Sequence, residues 1–180
     1  MKNLYLKFIK KGRRVFLIFD TLFGTRMYQK LNYYYLKKSG VKLYGSIPSI
    51  QLDSSIDLSG QLSIGDNVTI SKSVIILTHD YSVTKALISS GKKIDSGVAV
   101  IKPVTIGNNV FIGAGSIILC GSQIGNNVII GAGTVVRGKI PDNVVVTGNP
   151  CKIIRSIQEH CDIQEKYNSK YFVVDSYKML

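Results

Sequence analysis

A six-residue repeat of aliphatic side chains runs through the middle of the chain and constrains its fold more than any other feature. In steps of six, with one gap, it occupies twelve positions, all aliphatic: Leu52, Leu58, Ile64, Ile70, Ile76, Val100, Ile106, Ile112, Ile118, Ile124, Ile130 and Val136. A period of six fits neither an amphipathic helix nor a long strand. It fits short strands joined by tight turns. Three such strands per coil predict an all-β solenoid, a parallel β-helix with these side chains inside.

The repeat also predicts how the chain is divided. The β-helix is expected over residues 46–150, and within it residues 81–99 lack the aliphatic column. Asp80 would fall at an inward position, so we place the departure from the coil there and expect a loop extruded from one corner. Residues 151–180 are expected to form a cap and tail, with a helix over 151–167. The period leaves the hand of the β-helix open, although the general rule for parallel crossovers favours the right hand.

Positive charge is concentrated at the start of the chain. The formal net charge is +12, and residues 1–45 hold eleven Lys and Arg against Asp20, a net of +10. This distribution argues against a nucleic-acid surface spread over the fold. The cations alternate with apolar residues at roughly helical spacing, so the segment predicts a basic amphipathic arm. Peripheral contact with an anionic membrane and packing on the main domain or a neighbouring subunit both remain open.

Several short motifs carry a family resemblance: Ile106-Gly107-Asn108-Asn109-Val110, Ile112-Gly113-Ala114-Gly115, Ile130-Gly131-Ala132-Gly133-Thr134 and Gly148-Asn149-Pro150-Cys151-Lys152. Over about residues 50–156 the chain resembles the hexapeptide-repeat acyltransferases, and within them the sugar and polysaccharide O-acetyltransferases related to the maltose and galactoside acetyltransferases. The resemblance implies left-handed coils and a homotrimer with active sites between adjacent subunits. It also implies acetyl-CoA as the donor, a sugar or glycan as the acceptor, and no metal.

His79 is the candidate general base. Transfer of an acetyl group to a hydroxyl needs a base that works near neutral pH, and histidine suits that role. His79 stands at the foot of the predicted loop, in a place similar to that of the family's catalytic histidine. The alternative is a loop histidine with a structural hydrogen bond. The residues that could orient its ring are Asp57, Asp80, Asp66 and Asn67, and we name Asp57 and Asp80 as catalytic candidates.

For the acetyl-CoA donor, the resemblance implies backbone contacts at small residues. The positions that correspond to the pantetheine slot are Gly113, Ala114, Gly131 and Ala132. Lys152 and Arg155 match basic positions near the adenine and phosphate groups, and Arg137 and Lys139 are expected to assist, because phosphate oxygens favour cationic donors. The structural alternative is that Gly-Ala turns and solvated cations simply serve the solenoid.

The sequence therefore predicts a cytoplasmic, acetyl-CoA-dependent O-acetyltransferase that acts on a sugar or a surface-polysaccharide precursor. N-acetylation of an amino sugar, acetylation of a xenobiotic and a non-catalytic scaffold docked at a membrane are the alternatives. A zinc enzyme on the same scaffold needs three convergent histidines, and the chain contains two. Three cysteines at no metal-ligand spacing predict no disulfide framework and favour a reducing compartment.

Overall fold

A computed structural model of the chain describes residues 25–51 and 53–172. The first described element is helix α1 (Thr25–Lys38). The part of the predicted arm before residue 25 therefore lies outside the described residues. So do Leu52 and the end of the predicted tail.

Five coils follow α1, and their strands are short. Coil 1 contains β1 (Lys42–Leu43), β2 (Ser49–Ile50) and β3 (Ser55–Ile56), and coil 2 contains β4 (Leu62–Ile64), β5 (Val68–Ile70) and β6 (Ile75–Ile76). An excursion then contains β7 (His79–Asp80), α2 (Ser82–Ser89) and β8 (Val100–Ile101). Coil 3 contains β9 (Val104–Ile106), β10 (Val110–Ile112) and β11 (Ile117–Ile118). Coil 4 contains β12 (Gln123–Ile124), β13 (Val128–Ile130) and β14 (Val135–Val136). Coil 5 contains β15 (Lys139–Ile140) and β16 (Val144–Thr147), followed by β17 (Lys152–Ser156), α3 (Ile157–Asn168) and a 3₁₀ turn at Ser169–Tyr171.

The coils stack their strands into three parallel sheets, which form the sides of a prism. Sheet A contains β1, β4, β9, β12 and β15; sheet B contains β2, β5, β10, β13 and β16; sheet C contains β3, β6, β11 and β14. In sheet B, Ile70 pairs with Ile112, and Ile112 pairs with Ile130. The separation in sequence from Ile70 to Ile112 is the longer one because it includes the excursion. Both pairs nevertheless join members of the same aliphatic column, so the six-residue repeat resumes in phase after the excursion. We call the corner between sheets B and C the BC corner, and that between sheets C and A the CA corner.

The predicted aliphatic column is confirmed from coil 2 onward, with the exception of Val100. Its members are almost completely buried inside the prism: Ile64, Ile70, Ile76, Ile106, Ile112, Ile118, Ile124, Ile130 and Val136. Some neighbouring inward positions carry hydroxyls, and these donate to backbone carbonyls. Ser116 and Thr134 both donate to the carbonyl oxygen of Gly131, at 2.9 and 2.6 Å. Because each buried aliphatic side chain contributes roughly 1.5 to 3 kcal/mol, these ladders are the main source of stability.

The predicted column is wrong in coil 1. Ile50 pairs with Ile70, and Ile56 pairs with Ile76. In both pairs the two residues are farther apart in sequence than Ile112 and Ile130, which pair between later coils. Leu58 is only partly buried against the core. The reason is that coil 1 is longer than the later coils, so counting backwards in sixes selects the wrong side chains.

The excursion from the prism also differs from the prediction. The last ladder bond of coil 2 is donated by the Leu77 backbone N–H to the Ile118 carbonyl, at 2.8 Å, and the chain leaves at His79. β7 and β8 then pair as an antiparallel ribbon, in which Val100 lies opposite Asp80 and outside the column assigned to it. The connecting segment contains helix α2, where the sequence predicted a loop over residues 81–99. The aliphatic period does not report on short exposed helices, so it gave no sign of this one.

Both ends of the prism are covered. At the N-terminal end, α1 buries Tyr28, Tyr35 and Leu36. The backbone N–H of Ile50 donates to Oε1 of Gln29 at 3.0 Å, and Nε2 of Gln29 donates to the Ile50 carbonyl at 3.3 Å. This side-chain amide satisfies the otherwise free edge of sheet B.

None of the helices within residues 25–51 and 53–172 is long and apolar enough to cross a membrane.

The C-terminal cap begins with a strand, where a helix over 151–167 was expected. β17 pairs antiparallel with β16 and covers the last edge of sheet B. Helix α3 follows, and its first turn is capped by Ser156, whose hydroxyl accepts from the Glu159 backbone N–H at 3.1 Å. An unpaired strand at the end of a solenoid exposes backbone donors and acceptors, so a covering strand is favoured over a helix at this point.

Candidate active site

The structure brings His79 and Asp57 together at the CA corner. Asp57 follows β3 in coil 1, and His79 begins β7 where the chain leaves coil 2. The Asp57 backbone N–H donates to the Ile76 carbonyl at 2.9 Å, which holds the two coils in register here. Nδ1 of His79 lies 2.6 Å from Oδ2 of Asp57. The two residues belong to different coils and become neighbours through coil stacking.

The Asp57 carboxylate is held by a set of hydrogen bonds. Oδ2 accepts from the backbone N–H and the hydroxyl of Thr78, at 2.8 and 2.6 Å. Oδ1 accepts from the backbone N–H and the hydroxyl of Ser59, at 2.9 and 2.7 Å. Burial raises the pKa of Asp57, but the hydrogen bonds from Thr78 and Ser59 outweigh burial and hold this pKa well below its ordinary value. Asp57 is therefore a carboxylate with a fixed orientation.

This arrangement selects one tautomer of the imidazole. A carboxylate has only acceptor atoms, so in a neutral His79 ring the proton is on Nδ1, which donates a hydrogen bond to Asp57. The lone pair is then on Nε2. The His79 side chain is 31% exposed and the Asp57 side chain 14%. The corner thus presents a partly exposed imidazole whose Nδ1 is engaged by Asp57.

Gly60 makes this close packing possible. Its backbone N–H donates to the Thr78 hydroxyl at 2.8 Å. A Cβ at this position would lie 2.9 Å from Cγ2 of Ile101 and 3.0 Å from Cβ of Thr78. Ser59, Gly60 and Thr78 were missed by the sequence analysis. The available signal was that Thr78 follows Asp57 by little more than the length of one coil.

Asp80 has a different position. Its Oδ1 accepts from the Ser82 backbone N–H at 2.8 Å, at the start of α2. Hydrogen bonds from Ser82 lower the pKa of Asp80, with a further contribution from the positive charge of Arg137. Because adjacent strand residues point to opposite sides, Asp80 and His79 lie on opposite sides of the ribbon. The structure thus places Asp57, and not Asp80, in contact with the imidazole.

The predicted donor residues Gly113, Ala114, Gly131 and Ala132 stack on one another at the BC corner. The Gly133 backbone N–H donates to the Ala114 carbonyl at 2.8 Å. A Cβ on Gly113 would lie 2.6 Å from the Ala132 nitrogen, so the coils require glycine here. Ala114 and Ala132 are both exposed. The result is a smooth strip along the corner, with backbone and methyl groups at its surface.

The four predicted cations do not converge on this strip. Lys152 pairs with Thr147, whose methyl group lies against Gly131, so Lys152 is beside the BC corner. Arg155 pairs with Val145 on the edge strand β17 of sheet B, farther along the strand from the BC corner. The other two lie elsewhere: Arg137 at the CA corner, where it acts on Asp80, and Lys139 on sheet A opposite Gln123.

One BC-corner cation was missed by the sequence analysis. The Lys72 carbonyl accepts from the Gly115 backbone N–H at 2.9 Å, which places Lys72 one coil before Ala114. The signal was available, since Lys72 follows Ile70 at the same spacing by which Ala114 follows Ile112.

Comparison with known proteins assigns this architecture to a family. The family model "Bacterial transferase hexapeptide (six repeats)" matches residues 103–138. Over 169 residues, 87% of this chain and 95% of the relative, the sequence is 38% identical to Protein CapG of Staphylococcus aureus. The chain belongs to the hexapeptide-repeat acyltransferases.

The acyltransferase is also similar to two galactoside acetyltransferases, one compared by sequence and one by structure. It is 39% identical to galactoside O-acetyltransferase of Escherichia coli over 115 residues, which are 64% of this chain and 52% of that relative. A solved galactoside acetyltransferase in complex with coenzyme A superposes with a TM-score of 0.60 and 27% identity, over 95% of this chain and 90% of the other. The left-handed β-helix implied by the resemblance is confirmed. The crossover rule that favoured the right hand derives from longer connections than these corners.

In this acyltransferase the two groups of candidate residues lie at opposite edges of sheet C. His79 and Asp57 are at the CA corner, and Ala114 and Ala132 at the BC corner. The coil between the corners, such as residues 115–119, spans about 13 to 17 Å at 3.3 Å per residue. Within one prism, the candidate base and the candidate slot are therefore separated by the width of a sheet.

The described residues of the acyltransferase contain no group of three or more His, Cys, Asp or Glu side chains suited to hold a metal ion. His160, the second histidine, lies in α3 on the C-terminal cap. Cys120 and Cys151 are partly buried free thiols, and Cys161 is exposed.

Proposed function

We propose that the protein is an acetyl-CoA-dependent O-acetyltransferase that acetylates a hydroxyl of a sugar or of a surface-polysaccharide precursor, with His79 as the general base. The observation that carries the proposal is the 2.6 Å contact between Nδ1 of His79 and Asp57, which leaves Nε2 free in a partly exposed side chain. The named activity of the Escherichia coli relative and the coenzyme A bound to the solved relative support it.

The chemistry follows from these groups. The acceptor hydroxyl donates a hydrogen bond to Nε2 of His79, and its oxygen attacks the thioester carbonyl as the proton moves to the imidazole. Asp57 stabilises the imidazolium that forms. The oxyanion of the tetrahedral intermediate is held by a backbone N–H near the slot. Collapse breaks the carbon–sulfur bond, and the departing thiolate takes the proton from His79, so that an acetyl ester and coenzyme A leave.

The donor is proposed to bind along the BC corner. Ala114 and Ala132 leave the backbone accessible to the pantetheine arm, as do the neighbouring Gly113 and Gly131. Among the four predicted cations, Lys152 lies nearest this strip and is the proposed partner of the phosphates. A role in phosphate binding stays a prediction for Arg155, Arg137 and Lys139. Lys152 is favoured over Arg137 and Lys139 because those two lie at the CA corner and on sheet A, away from the strip.

A homotrimer is proposed, with each active site formed between two subunits. The separation of the two corners across sheet C supports this arrangement, because the CA corner of one prism can face the BC corner of its neighbour. Closed rings built from one repeated contact are common among homo-oligomers.

The test of the proposed function is acetyl transfer to a panel of acceptors. Purified protein is mixed with acetyl-CoA and neutral sugars, amino sugars, oligosaccharides or a xenobiotic panel, and coenzyme A release is followed. Products are then treated with mild base, which removes an ester but leaves an amide. Base-labile acetylation of a neutral sugar is expected. Base-stable acetylation of amino sugars alone would indicate an N-acetyltransferase. If none of the acceptors raises coenzyme A release above background, the proposal is contradicted.

Peripheral membrane contact through residues 1–45 is proposed as well, for an enzyme in the cytoplasm. The outer side of α1 exposes Leu31 and Tyr34, which are 41% and 49% accessible. The neighbouring exposed cations are Lys30, Lys37 and Lys38. Cations beside apolar side chains suit an anionic lipid surface. Sedimentation with vesicles of phosphatidylserine and phosphatidylcholine should exceed that with phosphatidylcholine alone, and equal sedimentation would contradict the proposal.

A further inference from the structure

The ribbon of β7 and β8 presents two unlike sides. His79 lies opposite Ile101, and Asp80 lies opposite Val100. Cross-strand partners in an antiparallel pair place their side chains on the same side. Tyr81 follows β7, and its ring contacts the imidazole of His79. The candidate base is therefore flanked by one aliphatic and one aromatic side chain.

Both flanking side chains are exposed although they are large and apolar. Tyr81 is 59% accessible and Ile101 58%. The rings of Tyr81 and His79 are in contact, with centroids 5.2 Å apart and planes at 71°. Exposed apolar side chains that flank a candidate base on two sides indicate a binding surface more than a packing defect.

Both side chains are also held by their backbone. Tyr81 precedes the first turn of α2, and its carbonyl accepts from the Thr84 backbone N–H at 3.1 Å. The hydroxyl of Thr84 in turn bonds to both backbone groups of Val98, at 2.6 and 2.8 Å, which closes the excursion on itself. Ile101 has its Cγ2 against Gly60. The backbone that carries both side chains is thus fixed by the fold, which reduces the entropy lost on binding.

We propose that Tyr81 and Ile101 form the acceptor platform, a surface on which the C–H face of a pyranose ring packs; this inference rests on the proposed function. A pyranose has apolar C–H groups on its faces and hydroxyls around its rim. Packing a face on Tyr81 and Ile101 directs a rim hydroxyl toward Nε2 of His79. Because the platform itself carries no charge, it selects neutral sugar rings by shape and apolar contact.

Kinetics of platform variants test the proposal, with an acceptor found in the panel. Tyr81→Ala should raise the acceptor KM by about 10-fold or more, while the acetyl-CoA KM stays within about 2-fold. Tyr81→Phe keeps the ring and should stay near wild type in both constants. Tyr167→Ala, an equally exposed tyrosine on α3, is the matched control. An unchanged acceptor KM in Tyr81→Ala, or an equal rise in the acetyl-CoA KM, would overturn the platform.

A binding measurement separates failure of the platform from failure of the proposed function. Saturation-transfer NMR with methyl galactoside and methyl glucoside should show the strongest transfer to ring C–H protons in the wild type, and loss of transfer in Tyr81→Ala. Light scattering must give the same mass for both proteins, since a change in mass would assign Tyr81 to subunit contact and overturn the platform. Sugar binding without turnover would overturn the proposed function alone, and no sugar binding in the wild type would overturn both.

Discussion

The CA corner and the BC corner are made by the same repeating coil but expose different groups. At the CA corner, side chains of successive coils bond to one another, as Asp57 does to Thr78 and His79. At the BC corner of coils 3 and 4, glycine and alanine leave the backbone itself as the surface. The difference teaches that a solenoid can make a reactive site by adding side chains at one corner and a binding strip by removing them at another.

The backbone conformation explains two glycines of the BC corner. Gly115 and Gly133 have φ angles of +69° and +67°, in the left-handed region that favours glycine. The CA corner also has left-handed glycines, with φ angles of +79° at Gly121 and +82° at Gly138. It differs in accommodating a long insertion, which leaves from coil 2 and returns to coil 3 in phase. These contrasting local requirements predict contrasting responses to mutation.

The largest expected effect is loss of the base. His79→Ala should lower kcat by about 10² to 10⁴, because proton removal from the acceptor is no longer assisted, and should leave the acetyl-CoA KM and the assembly mass unchanged. Initial rates of coenzyme A release and light scattering measure these quantities. His160→Ala removes the other histidine and should retain wild-type kcat. Wild-type turnover by His79→Ala would remove the CA corner from catalysis.

Replacing the orienting carboxylate should have a smaller effect. Asp57→Asn should lower kcat by about 10- to 10²-fold, because the imidazole loses the anion that orients it and stabilises its protonated form. Asp80→Asn is the matched control at an adjacent carboxylate that contacts Ser82, and its kcat should fall by no more than about 2-fold. The reverse order of the two effects would assign the orienting role to Asp80.

Enlarging a side chain at the BC corner should affect the donor alone. Ala132→Phe should raise the acetyl-CoA KM by about 10-fold or more, through steric overlap in the slot. The acceptor KM should not change. Gln123→Phe adds the same ring to the exposed side of sheet A and should leave both constants unaltered. If Ala132→Phe instead raises only the acceptor KM, the assignment of the two corners is reversed.

The smallest expected effect concerns acid stability. The pKa of Asp57 is lower in the folded protein than its ordinary value of about 3.9. Its contribution to the free energy of unfolding is therefore present above that value and lost as the pH falls below it. The stability gap between wild type and Asp57→Asn, on the order of 1 kcal/mol near neutral pH, should narrow between about pH 5 and pH 3. Urea unfolding measures this gap.

The BC corner offers the matching control for this pH dependence. Ala132→Phe changes no ionisable group, so any stability difference that it causes should not vary over the same pH range. A gap for Asp57→Asn that stays constant with pH would show that the carboxylate gains no stability from its hydrogen bonds.

Much of the architecture could be predicted because inward positions recur at a constant spacing. Ile112, Ile118, Ile124 and Ile130 followed the expected column, since the coils there contain three six-residue units each. Coil 1 did not, because it is longer. Helix α2 was missed because it buries no residue completely and so carries no hydrophobic period.

The candidate site divides in the same way. His79 could be singled out as one of only two histidines, and the small residues of the BC corner stood out by their repetition. The choice between Asp57 and Asp80 could not be made, nor could the distant positions of Arg137 and Lys139 be seen, because both depend on which corner each residue occupies.

The sequence by itself determined the winding of the chain, since burial of evenly spaced aliphatic side chains depends only on their order along the chain. The tertiary structure alone decided which polar side chains meet. Residues of different coils become neighbours only when those coils stack, and their contacts depend on how long each corner is and on the direction in which each side chain leaves the backbone.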